Sequence, residues 1–256
     1  MTAVLALWQR EIKKFSRDRS RLLGALMQPL AFWVLLGLGF HRTFRVPVEA
    51  APHLSYLEFL FPGIIALILL FTAIFSTISI VEERKTGFLQ AALVAPVPRL
   101  SLVLGNLLGG TTFAVLEAVL FMLFLPALGI SPNPSGLALI VLISTLTALA
   151  FTALGFTIAW RLESTRGFHA VMNLFLLPLW FLSGGPFPLQ GAAPILQSIM
   201  QINPVSYAVA GLRAAVYLPD GSPLDFAPMW LCLTVTAGFA VVMVALAALT
   251  ASRRLY

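Results

Sequence analysis

Apolar residues run along this chain in long blocks separated by short polar segments. Five blocks, 22–40, 60–81, 100–126, 137–160 and 228–251, match the roughly 20 residues a helix needs to cross a bilayer. A sixth, from Phe168 to Ser183, is shorter and stops at the breaker run Ser183-Gly184-Gly185-Pro186. The opening segment, 1–21, is built differently. Met1, Leu5, Trp8, Ile12 and Phe15 recur at spacings of four and three, which places them on one helical face, with Arg10, Lys13, Lys14 and Arg17 off it. That pattern predicts a basic amphipathic helix lying in the headgroup layer, anchored by Trp8, ahead of one membrane domain over 22–256. Pro29, inside the first block, predicts a kink or local unwinding. Between the second and third blocks, Phe88, Leu89, Ala92, Leu93 and Ala95 form an apolar face at helical spacing, closed by Pro96 and Pro98. Such a short helix needs a surface to cover its face. The bilayer and a groove on a cytoplasmic protein both serve, and the pattern leaves the choice open.

Composition turns these helices into a membrane protein. Of 256 residues 59% are hydrophobic and 10% charged, with mean hydropathy +0.95, whereas soluble domains carry about 25% charged residues. The net charge of +6 does not mark a nucleic-acid surface, because the basic residues sit at the ends of apolar blocks. Their distribution also decides the sixth block. With six spans and a cytoplasmic N-terminus, the inside segments 1–21, 82–99, 161–167 and 252–256 hold 13 Lys and Arg, and the outside segments hold 3. Omitting the short span would strand Arg253 and Arg254 on the outside, against the positive-inside rule. The expectation is an all-α integral protein of the cell membrane with six transmembrane helices and both termini in the cytoplasm. The apolar stretch Leu5–Trp8 is too short for a cleavable signal and runs into charge at Arg10, so insertion by internal helices is expected.

Candidate chemistry is sparse. The single cysteine, Cys232, lies in an apolar run and reads as a packed or lipid-facing side chain. His41, His53 and His169 lack metal-ligand spacing. Glu117 is the acidic residue deep in a block, where ionisable groups are costly and often functional. A protonated carboxyl hydrogen-bonded to a neighbouring helix is favoured there over a pathway role. Asn106 and Asn173 are expected to bond between helices. Leu182-Ser183-Gly184-Gly185 mimics the signature motif of ABC ATPases, yet the chain has no Gly-x-x-x-x-Gly-Lys-Ser/Thr loop to cradle phosphate. Ser183 and Ser206 have no histidine near them in sequence. The chain is therefore not expected to be an enzyme.

The run from Glu83 to Val97, Glu-Arg-Lys-Thr-Gly-Phe-Leu-Gln-Ala-Ala-Leu-Val-Ala-Pro-Val, preceded by Tyr56-Leu57-Glu58-Phe59-Leu60-Phe61-Pro62-Gly63, resembles the ABC-2 type permeases. The branch it resembles includes daunorubicin-resistance-type and nodulation-type exporters. Leu182–Pro188, then Ile202-Asn203-Pro204-Val205-Ser206-Tyr207 and Gly211-Leu212-Arg213, extend the likeness over nearly the whole chain. Gln90-Ala91 departs from it, where many relatives carry a charged pair. The resemblance implies a cytoplasmic coupling helix over 84–96, docked on a nucleotide-binding subunit through Arg84, Lys85, Gly87, Phe88, Leu89, Leu93 and Pro96. Glu82 and Glu83 would transmit its motion. It also implies short outer helices dipping back over 184–213, and the four prolines up to Pro204 with little charge suit a re-entrant segment. Glu117, Asn203, Tyr207 and Arg213 are the pathway or interface candidates, with a structural salt bridge favoured for Arg213.

Two ATPase subunits carrying ATP and magnesium, and a second permease subunit, identical or homologous, follow from the same resemblance. This chain binds no cofactor and no nucleic acid on that reading. Low intramembrane charge favours an amphipathic, drug-like or lipid-like cargo over a polysaccharide or glycolipid. A secondary transporter or channel would want more intramembrane ionisable groups or paired broken helices. A non-transporting assembly scaffold is the third reading.

Overall fold

The computed structural model describes residues 2–17, 19–40, 54–94, 97–190, 192–218 and 226–252. Eleven α-helices stand among them. In chain order they are α1 (Thr2–Arg17), α2 (Arg19–Gly39), α3 (Tyr56–Ser76), α4 (Ile78–Lys85), α5 (Phe88–Val94), α6 (Arg99–Met122), α7 (Pro134–Ala159), α8 (Thr165–Phe181), α9 (Pro194–Ile202), α10 (Pro204–Val216) and α11 (Met229–Ser252). Every apolar block of the sequence is largely helical, the second divided between α3 and α4. Four helical segments are long and apolar enough to cross a membrane: Tyr56–Lys85, Arg99–Leu128, Pro134–Ala159 and Met229–Ser252. Leu26–Gly39 of α2 is a shorter apolar helix, and α2 runs unbroken through Pro29.

The centre of the bundle is α3, apolar on all sides and buried along nearly its whole length, as a helix surrounded by other helices must be. It packs against α2, α6, α7 and α10, while α11 lies outside on α7. Leu174 and Phe175 of α8 and Trp230, Val241 and Leu249 of α11 point outward uncovered. A surface so apolar belongs in lipid.

The start of α3 is fixed by a capping box. Ser55 Oγ accepts from Glu58 N at 3.3 Å and Ser55 N donates to Glu58 Oε2 at 3.1 Å. Ser55-x-x-Glu58 is visible in the sequence and places the helix start four residues before the apolar block. One turn on, Pro62 has no N–H to give the Glu58 carbonyl, and Tyr217 Oη, just past the end of α10, donates to it instead at 3.1 Å. The rod α3–α4 is interrupted only at Thr77. There Ser76, Thr77 and Ser79 turn their hydroxyls back onto the carbonyls of Ala73, Ile74 and Ser76.

Small residues set the closest approaches. A Cβ at Gly155 of α7 would lie 3.1 Å from Ile74 Cα, so α7 meets the backbone of α3 directly. On α6, Cβ atoms at Gly105 and Gly109 would each lie 2.5 Å from the Cβ of Leu7 and of Glu11 on α1. Phe15 then meets Phe113 with ring centroids 4.5 Å apart. The pairs 7/105, 11/109 and 15/113 keep one offset, so α1 runs parallel to α6 for at least two turns. The sequence stripe is corrected here. Leu5 stays exposed, and the face turned to α6 carries Leu7, Glu11 and Phe15.

Candidate functional site

At one end of the bundle α1, α4, α5 and the ends of α6, α7 and α11 bring most of the charge together. Glu83, at the end of α4, accepts from Arg10 at 2.7 Å and from Lys14 at 3.4 Å. Arg10 also bonds Glu11 at 2.5 Å and lies over the Phe88 ring at 4.4 Å. Burial works against the Arg10 charge, but the hydrogen bond it donates to Glu11 and the fields of Glu83 and Glu11 outweigh it and raise its pKa. Glu11, 2% exposed, is the participant the sequence did not flag; its spacing of four from Leu7 and Phe15 is the signal that places it on the inner face.

The expected docking residues divide. Phe88 is 43% exposed, and Lys85, Thr86, Gly87 and Gln90 are exposed with it. Gly87 has φ +77, the left-handed turn that separates α4 from α5. Leu89 is buried in the core, so it anchors α5 and offers no docking surface. Arg84 also turns inward, donating to the carbonyls of Leu162, at 3.1 Å, and Trp160. Trp160 is the C-cap of α7 and Leu162 follows it in the loop, so the cation sits where it complements the helix dipole. Arg99 does the same at the end of α11, donating to the carbonyls of Ala251 and Ser252, both at 3.3 Å. Val94 adds an exposed apolar residue, 86% accessible, that the sequence reading left out. For Leu93 only the backbone is described, and Pro96 lies outside the described residues, as do His41, His53, Arg253 and Arg254.

At the opposite end the Leu182-Ser183-Gly184-Gly185 stretch is a packed turn. Ser183 Oγ donates to Trp180 O at 2.6 Å, Gly184 takes φ +76, and Gly185 lies against the backbone of Gly63. Asn203 caps α10 through Val205 N and donates to the carbonyls of Leu179 and Leu182 at 2.7 and 2.8 Å. Tyr207 donates to Gln201 O at 2.9 Å. Arg213 is buried, and among the described residues it meets a carbonyl and a ring. It donates to Gly184 O at 2.9 Å and lies over the Phe59 ring at 4.4 Å, with no carboxylate in reach among the described residues. Asn203 and Arg213 thus brace the turn after α8. Asn106 disappoints the expectation of an interhelical bond, its Oδ1 being buried without a partner.

Between these ends lies a half-open cavity of about 650 Å³, walled by α2, α3, α4, α6 and α8 with Phe15 of α1. Gln28, Thr72, Ser76, His169 and Asn173 give it polar edges, and Glu117 lies within it, 3% exposed, accepting a hydrogen bond from Thr72. The helical neighbour expected for Glu117 is therefore Thr72 on α3. Glu82 stands at the charged end of the same cavity.

A polytopic helical bundle with a charged end, an exposed short helix there and a cavity within the membrane-embedded core defines a transport permease. Residues 2–217 match the ABC-2 type transporter family, and the chain belongs to it. It is 30% identical to "Putative transport permease ycf38" of Porphyra purpurea, over 81% of this chain and 72% of that protein. It is 27% identical to "Nodulation protein J" of Sinorhizobium fredii, over 90% and 87% of the two chains. Against "Probable multidrug ABC transporter permease YbhR" of Escherichia coli the identity is 26%, over 73% of this chain and 51% of the other. Members of this family are transmembrane subunits that normally work with a separate ABC ATPase.

Proposed function

We propose that this chain is the membrane half of an ATP-driven exporter, with six spans, both termini in the cytoplasm and a cytosolic ATPase docked on α5. Two copies, or one copy and a homologue, form the pathway above two ATPase subunits, which hold the ATP and magnesium. The observation that carries the reading is the exposed helix α5 at the charged end, presenting Phe88 and Val94 to the outside. Through Gly87 and α4 it continues into α3, the most buried helix of the bundle. Through Arg10 and Glu83 it is tied to α1, and through α1 to α6. A displacement of α5 by the ATPase is therefore delivered to two walls of the cavity, α3 and α6. For ATP to bias the cavity's shape, the ATPase must hold α5 differently in its open and closed states. The cargo is an amphipathic, drug-like or lipid-like molecule.

Val94→Asp tests the docking face by burying a carboxylate in the interface, and Phe88→Ala by removing its aromatic contact there. Copurification of the ATPase is expected to fall in both, by about tenfold or more for Val94→Asp, with the permease still inserted, because leaving a desolvated charge unpaired costs several kcal/mol. Undiminished ATPase binding by both variants would show that α5 rests on lipid.

A further inference from the structure

We propose that the joint where α1, α4, α6 and α7 meet beneath α5 is a binding site for one structural water molecule, held by Arg10, Glu11, Asn106 and Trp160. Among the described residues eight buried side-chain polar atoms have no hydrogen-bond partner. Four of them, Arg10 Nε, Glu11 Oε2, Asn106 Oδ1 and Trp160 Nε1, belong to residues that line one small cavity. Three of the other four are the hydroxyls of Thr111, Ser144 and Thr147, a group that can rotate toward a carbonyl of its own helix. The four around the cavity have no such recourse. A buried polar group left unpaired is costly, and native interiors pair almost all of theirs. Glu11 and Trp160 are each 2% exposed, so bulk solvent does not satisfy them.

Valence selects the occupant. Asn106 Oδ1 and Glu11 Oε2, on a carboxylate ion-paired with Arg10, accept hydrogen bonds, and the Nε1–H of Trp160 and the Nε–H of Arg10 donate them. Water has two hydrogens and two lone pairs, which match that set one for one. A metal cation would meet the two N–H groups unfavourably, and chloride the two oxygens. The cavity holds about 20 Å³, more than the roughly 10–15 Å³ one water requires and far less than a small-molecule site. Apart from Glu83, which accepts from Arg10 and Lys14, the other described lining residues are apolar. Local structure brings the groups together. Glu11 faces Gly109 of α6, and Asn106 stands three residues earlier, on the same side of that helix. Trp160 caps α7, its ring stacked on Phe156 at 5.2 Å. Phe88 and Leu89 line the cavity from α5. A bridging water can shift with the helices and keep its bonds, so it ties them without locking them.

The test uses the full chain in lipid nanodiscs, isotopically labelled at tryptophan and observed by proton-detected solid-state NMR. Magnetisation passed from water to an indole N–H falls steeply with distance. Trp180 supplies the reference in the same spectrum, because it is fully buried and its Nε1 donates to Gly63 O at 2.7 Å. The Trp160 resonance is assigned by its loss in Trp160→Phe. It is expected to receive about fivefold or more the transfer seen at Trp180, since a hydrogen-bonded water places its protons only about 2–3 Å from the indole proton. Asn106→Leu removes an acceptor and fills the cavity, and should bring Trp160 down to the level of Trp180. Asn106→Ser leaves a hydroxyl and more room, and should keep the parent transfer, which a merely disrupted joint would not. The comparison within the parent chain depends on no variant folding. Transfer to Trp160 no greater than to Trp180 overturns the site, as does full transfer in Asn106→Leu or an equal loss in both Asn106 variants.

Discussion

Single side chains at the far end of the bundle replace what prolines and turns remove. Pro62 leaves the Glu58 carbonyl without its helical donor, and the Tyr217 hydroxyl supplies one from just past the end of another helix. Trp180 Nε1 donates to Gly63 O at 2.7 Å beside it. In lipid a carbonyl has no water to turn to, so Tyr217→Phe leaves a real deficit. The expected cost is about 1 kcal/mol, within the range for one interhelical hydrogen bond in a membrane protein. It is read as a lowered denaturation midpoint of the purified chain with unchanged assembly. An unchanged midpoint would mean that the freed carbonyl finds another donor. Such partners were not legible in the sequence. Pro62 and Tyr217 are 155 positions apart, and nothing in local pattern joins them.

Helices, by contrast, were legible almost throughout. The apolar blocks and the short helix after Gly87 follow from periodicity and breakers, whereas the short helices after Pro194 and Pro204 are what the family resemblance implies. What periodicity does not give is rotation about the helix axis when a charge is buried. Glu11 points inward because Gly109 leaves space for its Cβ and Arg10 balances its charge, so the α1 stripe read from apolar residues alone was turned toward Leu5. The family resemblance likewise implies a docking role for Leu89 and Arg84 that their inward packing denies them. Gly109→Leu tests the groove, because its side chain would occupy the position of Glu11. Overpacking of this kind costs about 1–3 kcal/mol. α1 should lift off α6, seen as faster proteolysis after Arg10, Lys13 and Lys14. An N-terminal helix that stays protected in this variant would show that α1 is held from elsewhere.

At the scale of the whole molecule, the 13-to-3 division of Lys and Arg predicts that both termini lie in the cytoplasm. In a Cys232→Ala background, cysteines at Thr86 and Ser252 are expected to react with a membrane-impermeant maleimide only after the membrane is opened. A cysteine at Ser135, at the start of α7, should react in intact cells. Labelling at 252 from outside would remove one span from the count. The cavity itself was only half legible. Glu117 and Asn173 stood out as polar residues in apolar blocks, but a cavity is what helices leave between them, and their separations are not written in any one segment.

The parallel seat of α1 on α6 has a consequence for how the protein is made. Leu7 meets Gly105, and Glu11 meets Gly109, partners translated 98 residues later. At the usual 5–20 residues per second the first helix waits about 5–20 s for its groove to emerge from the ribosome. Throughout that interval its apolar side must rest on something, and a cationic amphipathic helix finds the bilayer surface the nearest refuge. The amphipathic composition of α1 thus serves the nascent chain, and the glycines of α6 serve the finished one.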